Sequence, residues 1–549
     1  MLNKCIPDVE RVIQGMPKIQ KEYYRWRATF KVKNFKESTQ TCHFKKELTN
    51  AVRWGRDNRI TFTKADKTKA LVVMKRDTYE RGLREYIEDT RCVEQESKTI
   101  EKLHTRVKRF SKSALAKSLG MQDIVMDAPD TPKLFAFAKT HKQGQKLRPV
   151  VDKAKSPTRK LEAALHRIIA PQLQGYRYTI SDSSELIEIL KHTEQPACIS
   201  IMDFRSLYPS IELPPCFCAV RDFLLQYVND EGLRPQILEL AHLICYNSVF
   251  QFNGITYNQG RGVPMGSATS GDLCELVIRK LEERVITCFY DNIILYKRYV
   301  DDVIILWRNN PDINLFIDQV NNNNYSLTVE VEQHSDSTVH FLDVNIRIEE
   351  SHLSTSVYRK QHDFPTYIPA DSCDPFGYKV AAFRALVKRA YTHCSTQRAL
   401  NKEMEYLRKV ADIHGFHNII QRLATQYNNV GPPCTTNRED GIQQEQRIVT
   451  VTYNPILTTV YHKIAKLQGI RIAYRRCPSI FPLIRNEKDK PSRDRLPGVY
   501  SVPLTDHRCD KELVYIGATK RAVGVRWKEH QKDIEHNRCS TALSVCQYI

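Results

Sequence analysis

Two adjacent carboxylates, Asp301 and Asp302, interrupt the β-prone, largely apolar run Leu295–Trp307. Like charges side by side between strands cost free energy unless a cation neutralises them, and hard oxygen donors of this kind suit Mg²⁺ or Mn²⁺. The tip of a hairpin is the natural place for them. Residues 293–299 and 303–307 are predicted to pair as two short strands, with Val300, Asp301 and Asp302 held out at one end of a sheet. Alone, the same residues fit a solvated acidic turn equally well, because Asp is common in turns. A third carboxylate in a matching setting shifts that balance: apolar residues in Cys198–Met202 lead straight into Asp203, and an aromatic, Tyr208, follows five positions later.

Together, Asp203 with Tyr208 and the segment Tyr299-Val-Asp-Asp302 resemble the palm of a reverse transcriptase. The resemblance implies that Asp203 and Asp301 hold two Mg²⁺ (or Mn²⁺) ions, which activate a primer 3′ hydroxyl and stabilise the leaving pyrophosphate, with Asp302 the less critical carboxylate. It further implies that Tyr299 lies beside the incoming nucleotide and that Tyr208 excludes a ribose 2′ hydroxyl. Between the two carboxylate motifs, Gln259–Ser267 carries three glycines and a proline ahead of a helix expected at 270–288, a composition that lets backbone come close to a ligand. It resembles the family's template- and nucleotide-positioning loop, so Gln259, Gly260 and Gly266 are expected to shape the pocket of the nascent base pair. Ala268 and Gly271 stand where the family usually has prolines.

The surrounding elements must position these groups. Between Lys133 and Lys160 there are nine Lys or Arg and one acid, Asp152, interleaved with strand-like pieces at Leu134–Ala138 and Leu147–Val151. Two strands carrying basic residues fit a fingers hairpin that grips a triphosphate and a template. Arg148 is the expected triphosphate contact, because a guanidinium can fork two phosphate oxygens, and Lys146 is a second one. Lys139-Thr-His-Lys142 resembles part of the same family fingers. Lys153, Lys155, Arg159 and Lys160 read as contacts to a phosphate backbone. Downstream, Leu327–Glu332, Phe341–Ile348 and Leu353–Tyr358 alternate like strands that complete a palm, with Asp343 read as structural. Lys379–Val410 is a basic helical stretch suited to a thumb, and Asn428–Gln446 reads as a loop.

The end of the chain changes character. Gly498-Val-Tyr500 and Tyr515-Ile-Gly517 end two strand-like runs, and Arg526 and His530 lie one turn apart on the next helix. The set resembles a GIY-YIG endonuclease module. A reverse transcriptase followed by this module is the arrangement of Penelope-like retroelements, whose leader Thr63–Met74 resembles. The resemblance implies that Tyr500 and Tyr515 shape or deprotonate the attacking water, that Arg526 stabilises the phosphorane and that His530 assists proton transfer. The module's late metal-binding Glu has no match before Ile549, so it is expected to be truncated and to bind DNA without cutting it. Cys509 and His507 are weak zinc ligands at best.

The reading is therefore an α+β right-hand polymerase: a leader over 1–125, fingers over 126–198, palm over 199–365, helical thumb over 366–470, linker over 471–497 and a partial α/β module over 498–549. Its formal charge of +20 over 549 residues favours a polyanion partner. RNA template, DNA primer, target DNA and deoxynucleoside triphosphates are the expected ones. No apolar run approaches the roughly 18 residues of a membrane span and the start lacks a secretory segment. An intracellular protein, acting in the nucleus after cytoplasmic synthesis, is expected, with no membrane partner. The 16 cysteines include no C-x-x-C and read as reduced thiols. Two other readings stay open: a decayed copy that binds nucleic acid without catalysis, favoured by Arg205 two residues past Asp203, and an RNA-directed RNA polymerase.

Overall fold

Short apolar runs with period two build the centre of the protein. In the computed structural model the strand Cys198–Phe204 lies inside a four-stranded antiparallel sheet, ordered Val329–Ser335, Cys198–Phe204, Asp302–Trp307, Ile293–Tyr299. The residues described are 2–34, 41–68, 70–96, 98–140, 144, 146–350, 352–360, 366–430, 447–475, 480–488, 494, 496–506, 511–536 and 538. One face of the sheet packs Met202, Phe204, Val303, Ile305 and Trp307 into a core shared with the helices Leu213–Tyr227, Arg234–Cys245 and Ser270–Cys288. The other packs Ile199, Ile201, Ile304 and Leu306 against the helix Ser183–Lys191 and a three-stranded sheet of Thr338–Phe341, Val344–Ile348 and Leu353–Val357. Asp343 joins the layers: it accepts from Ser183 and His393 and pairs with Arg389 at 3.4 Å, which together hold its carboxyl well below the usual range despite its burial. That fits the structural part read for it in the sequence.

The basic strands Lys133–Ala138 and Leu147–Asp152 pair antiparallel as expected. Their sheet has five strands, and three of them come from elsewhere: Val249–Phe252, Ile255–Asn258 and the short Val93–Glu94. A palm running unbroken from 199 to 365 is thereby corrected, since its hairpin 249–258 belongs to the fingers sheet. Asn253 and Gly254, at φ of 48° and 83°, form the tight turn that an Asn-Gly pair favours between two strands.

The region 1–125 is likewise more than a leader. The helix Arg76–Asp89 buries Tyr79, Leu83 and Ile87 against the fingers sheet, while Thr99–Phe110 buries Ile100, Leu103, Val107 and Phe110 in the palm core. The helices Leu2–Ile13 and Lys18–Lys33 join Val449, Val451, Val460, Tyr461 and Ile464 in a separate core. Its second half is a parallel pair, Ile448–Thr452 with Arg471–Arg475, connected through the helix Thr458–Gln468. The thumb core is accordingly smaller than 366–470: it comprises the helices Phe376–His393, Gln397–Ile413 and Ile419–Val430.

A linker over 471–497 is also corrected. Arg471–Arg475 is a strand, and Phe481–Ile484 is a short helix. Asn486 side-chain atoms accept from Phe62 N and donate to Ile60 O, and Lys488 pairs with Asp152 at 2.7 Å. Ile484 and Glu487 are buried, which a solvated linker would not achieve. In the tail, Gly498–Asp506 and Lys511–Thr519 pair antiparallel, followed by the helix Val523–Glu535. Among the described residues no helix is long and apolar enough to cross a membrane, and the described cysteines are free thiols.

Candidate active site

Register decides where the carboxylates go. Asp302 lies directly opposite Asp203 across one strand pair, and Glu330 lies opposite Asp203 across the other. Opposed residues project to the same face, so Asp203 and Asp302 share the face of Ile201 and Ile304, at the end of the strands. Asp301 sits in the turn, and its carbonyl accepts from Phe204 N at 3.0 Å, tying the hairpin tip to the Asp203 strand. Carboxylate oxygens of Asp203, Asp301 and Asp302 all lie within 4.8 Å of one another. Burial, then the charges of Asp301 and Glu332, push Asp302 up to about 6. Crowded carboxylates that resist ionisation are what a divalent cation would relieve, and an all-oxygen set fits Mg²⁺ or Mn²⁺. Lys67 and Lys360 act on Asp302 in the opposite sense. The sequence offered Lys67 only as part of an Asp-Lys pair ahead of a strand, and folding brings its charge to the carboxylates.

Arg205 has an acidic partner of its own. Its guanidinium pairs with Glu330 at 2.9 Å on the exposed surface.

The hairpin tip is held from behind. Val300 has φ of 58°, a left-handed conformation that a β-branched residue adopts only under constraint. Its carbonyl accepts from Arg298 Nη1 at 3.0 Å. Arg298, the residue that opens Arg298-Tyr-Val-Asp-Asp302, is fully buried and spans two carboxylates on the helix Ser270–Cys288: Glu282 at 2.6 Å and Glu275 at 2.9 Å. Burial opposes the charge on Arg298, but the two carboxylates outweigh it and keep the guanidinium ionised. Glu275, bound also by Arg279 at 2.7 Å, stays below the usual carboxylate range in spite of burial, whereas burial lifts the deeper Glu282 above it.

Tyr208 faces the same region. It shares a cavity of about 260 Å³ with Arg298, Tyr299 and Val300. Burial first, then the charges of Cys274 and Asp301, push its hydroxyl up to about 12, while Arg148 pulls the other way. Asp301 and Arg148 thus both act on the Tyr208 hydroxyl, in opposite senses. Arg148, paired across the hairpin with Phe137, lies 3.2 Å from Asp66 and keeps two-fifths of its side chain exposed. Lys146 is exposed where the hairpin opens, its carbonyl accepting from Lys139 N at 2.8 Å; His141 and Lys142 lie outside the described residues.

The glycine-rich loop is placed differently from Tyr208 and Arg148. Gln259 is buried, donates to Arg261 O at 2.8 Å and accepts from Tyr86 Oη at 3.3 Å. A side chain at Gly260 would run into Arg91 O at 2.4 Å, and one at Gly266, φ 112°, into Val151 O at 2.2 Å. Val263 N donates to Tyr208 O, and Val151 N to Met265 O, both at 2.8 Å. The loop therefore clamps the Tyr208 segment to the fingers strand that carries Arg148, and its glycines are there for close backbone approach.

A second cluster forms in the tail. Tyr500 Oη and His530 Nε2 are 2.6 Å apart, and the rings of Tyr500, Tyr515 and His530 lie 5.8–6.3 Å from one another. Gly517 is required here, since a Cβ would strike the Tyr500 ring at 2.4 Å. Arg526 pairs with Glu529 at 2.9 Å, and Glu529 is also forked by Arg521. His507 and Cys509 lie outside the described residues. Among those described, the three aspartates are the one group of three or more metal-capable side chains that converges.

Comparison with known proteins agrees with the first cluster. Residues 140–344 match the family model "Reverse transcriptase (RNA-dependent DNA polymerase)", and 366–418, the first two thumb helices, match "Animal helix-turn-helix domain". No curated protein matches the chain. Among solved structures, a telomerase from Candida albicans with a fragment of telomeric RNA is similar at 13% identity and a TM-score of 0.45, covering 68% of this chain and 62% of its own. A telomerase from Candida tropicalis with the same kind of fragment is 12% identical, with a TM-score of 0.41 and coverages of 77% and 69%. A Sicinivirus RNA-dependent RNA polymerase is 11% identical, with a TM-score of 0.37 and coverages of 60% and 70%. The chain thus spans about three fifths of the Candida albicans protein. The three aspartates lie inside the matched segment, and residues 140–344 are similar to a reverse transcriptase domain.

Proposed function

We propose that the chain copies an RNA template onto the 3′ end of a DNA primer by two-metal nucleotidyl transfer, as the polymerase of a Penelope-like retroelement. The observation that carries this reading is the convergence of Asp203, Asp301 and Asp302, with Asp301 and Arg148 both acting on Tyr208. Asp203 and Asp301 would hold Mg²⁺ or Mn²⁺, with Asp302 beside them. When bound, such ions make the primer hydroxyl a better nucleophile and neutralise charge on the leaving pyrophosphate. Arg148 forks triphosphate oxygens, Lys146 adds a second cation, and Lys67 and Lys360 keep the surroundings of the carboxylates from becoming too negative. Tyr208 fills the space a 2′ hydroxyl would need, and Tyr299 lines the same hollow. Gln259, Gly260 and Gly266 hold Tyr208 and Arg148 in register.

The tail extends the reading to target DNA. Tyr500, Tyr515, Arg526 and His530 form a set that could grip a phosphodiester in the manner of a GIY-YIG module, and insertion into a chromosome would place the protein in the nucleus. Primer extension on RNA, with deoxynucleotides and ribonucleotides in parallel and Mg²⁺ or Mn²⁺, tests the polymerase. Extension with deoxynucleotides alone is expected. Ribonucleotide extension would point to RNA synthesis, and no extension under any condition would favour a decayed copy.

A further inference from the structure

The helix Lys18–Lys33 carries two apolar stripes on opposite sides. Tyr24, Ala28 and Val32 are buried in the core shared with residues 449–474. Ile19, Tyr23, Trp26 and Phe30 are 83%, 47%, 61% and 53% exposed. At about 100° per residue the second stripe is centred roughly 180° from the first, so it points straight away from the protein. Trp26 and Phe30 stack at 5.4 Å, Tyr23 lies 6.4 Å from Trp26, and the guanidinium of Arg27 sits 5.9 Å over Tyr23. A monomer rarely displays three large rings in line without a use for them.

What surrounds the rings narrows that use. The helix has six Lys or Arg against one acid, Glu22. By the same helical spacing, Lys33 borders one side of the stripe, with Glu22 and then Lys18 beyond it, and Arg27 borders the other, while Arg25 and Lys31 lie nearer the buried face. Arg25 is already forked by Glu10, and Lys31 donates to Thr459, so both are set in place by the adjoining core. The exposed apolar residues cover about 60° of arc, too narrow for a face that beds into a membrane or a helix groove, which takes 100° or more. A row of rings with a cation on either side, on a helix with six basic residues against one acid, matches bases between phosphates.

We propose that this stripe is a binding site for single-stranded RNA, lying on a core separate from the palm and fingers that hold the polymerase site. Bases stack on Trp26, Phe30 and Tyr23, and the phosphates meet Lys18, Lys33 and Arg27. RNA is the strand favoured, because a reverse transcriptase has uncopied template to hold and +20 of charge with which to attract it. The site rests on the domain's use of RNA, but its test does not need catalysis.

The experiment uses the full chain with a blunt RNA–DNA duplex in excess to fill the cleft, and measures binding of a labelled single-stranded RNA by fluorescence anisotropy. Trp26→Ala combined with Phe30→Ala should weaken binding about tenfold or more. Trp26→Phe should retain most of the affinity, and the melting temperature should not move, because the rings are exposed. Equal affinity of the double variant and the unaltered chain would overturn the proposal. So would a loss seen with single-stranded DNA and not RNA, a loss of binding to anionic vesicles in place of RNA, or conversion of a dimer to a monomer by the double variant without change in RNA affinity. Failed primer extension with intact, Trp26-dependent RNA binding would leave this site standing and overturn the polymerase reading alone.

Discussion

Replacing Arg298 with Met removes the cation from the most enclosed charge cluster of the palm, and the effect can be worked from its surroundings. Glu282 loses its only ion-pair partner among the described residues, at 2% side-chain exposure, whereas Glu275 keeps Arg279 at 2.7 Å. Removing one partner of a buried pair destabilises by about 3–5 kcal/mol. The lost bond to the Val300 carbonyl adds about 1 kcal/mol, against a total stability on the order of 5–15 kcal/mol. Trp307 is fully buried in the palm, so its fluorescence in a urea titration reports that region. Without Arg298 the folded carboxyl of Glu282 holds its proton well above the unfolded value of about 4.3. The folded state then binds more protons than the unfolded one, so the variant's deficit is small below that value and grows as the pH rises through the folded pKa. Adding Glu282→Gln, which removes the stranded charge, should recover most of the loss. Because Arg298 also fixes the strained turn that carries Asp301, primer extension should fall about a hundredfold in Arg298→Met, as expected for a misplacement of about 1 Å. An unchanged urea midpoint, a loss that does not vary with pH, or no recovery in the double variant would refute the account of this cluster.

Asp203→Asn and Asp301→Asn should each lower primer extension by several orders of magnitude while primer–template binding survives, because binding rests on the basic surface; retained extension in Asp301→Asn would remove the core of the metal assignment. Tyr208→Ala should admit ribonucleotides, read as the ratio of extension with the two sugars, and an unchanged ratio would make Tyr208 a packing residue only. The full chain is expected to bind supercoiled plasmid without nicking it in Mg²⁺ or Mn²⁺. Nicking that disappears in Arg526→Ala would show that a carboxylate within the 549 residues completes the tail site.

The polymerase hairpin was legible because its signal is local. Two carboxylates inside an apolar run leave few places to go, and a turn between strands is one of them. The hairpin 249–258 carries an equally local signal, since Asn253-Gly254 is a strong turn pair between strand-formers. The first 60 residues hid their fold for a different reason. Val9, Val12 and Tyr24 find their apolar partners more than 400 positions away, at Val449 to Ile464, so no window of sequence shows why the helices are stable. Gly260 and Gly266 show the limit of composition: glycines that admit a ligand and glycines that admit the carbonyls of Arg91 and Val151 look alike until the chain is folded. Arg298 was read only as part of a motif, because its carboxylate partners lie on another element.

The distant partnership between the helices Leu2–Ile13 and Lys18–Lys33 and the strand pair of 448–475 also sets a clock for synthesis. Arg11 reaches the carbonyl of Thr450, 439 residues later. At about 5–20 residues per second the helices wait on the order of 20–90 s on the ribosome before their apolar faces can be covered. During that time Val9, Val12, Ile13 and Tyr24 are open to chaperones or to misassembly with neighbouring nascent chains. Trimming the chain as far as Lys33 would move the same exposure to the finished protein, leaving Val449, Val451 and Tyr461 uncovered.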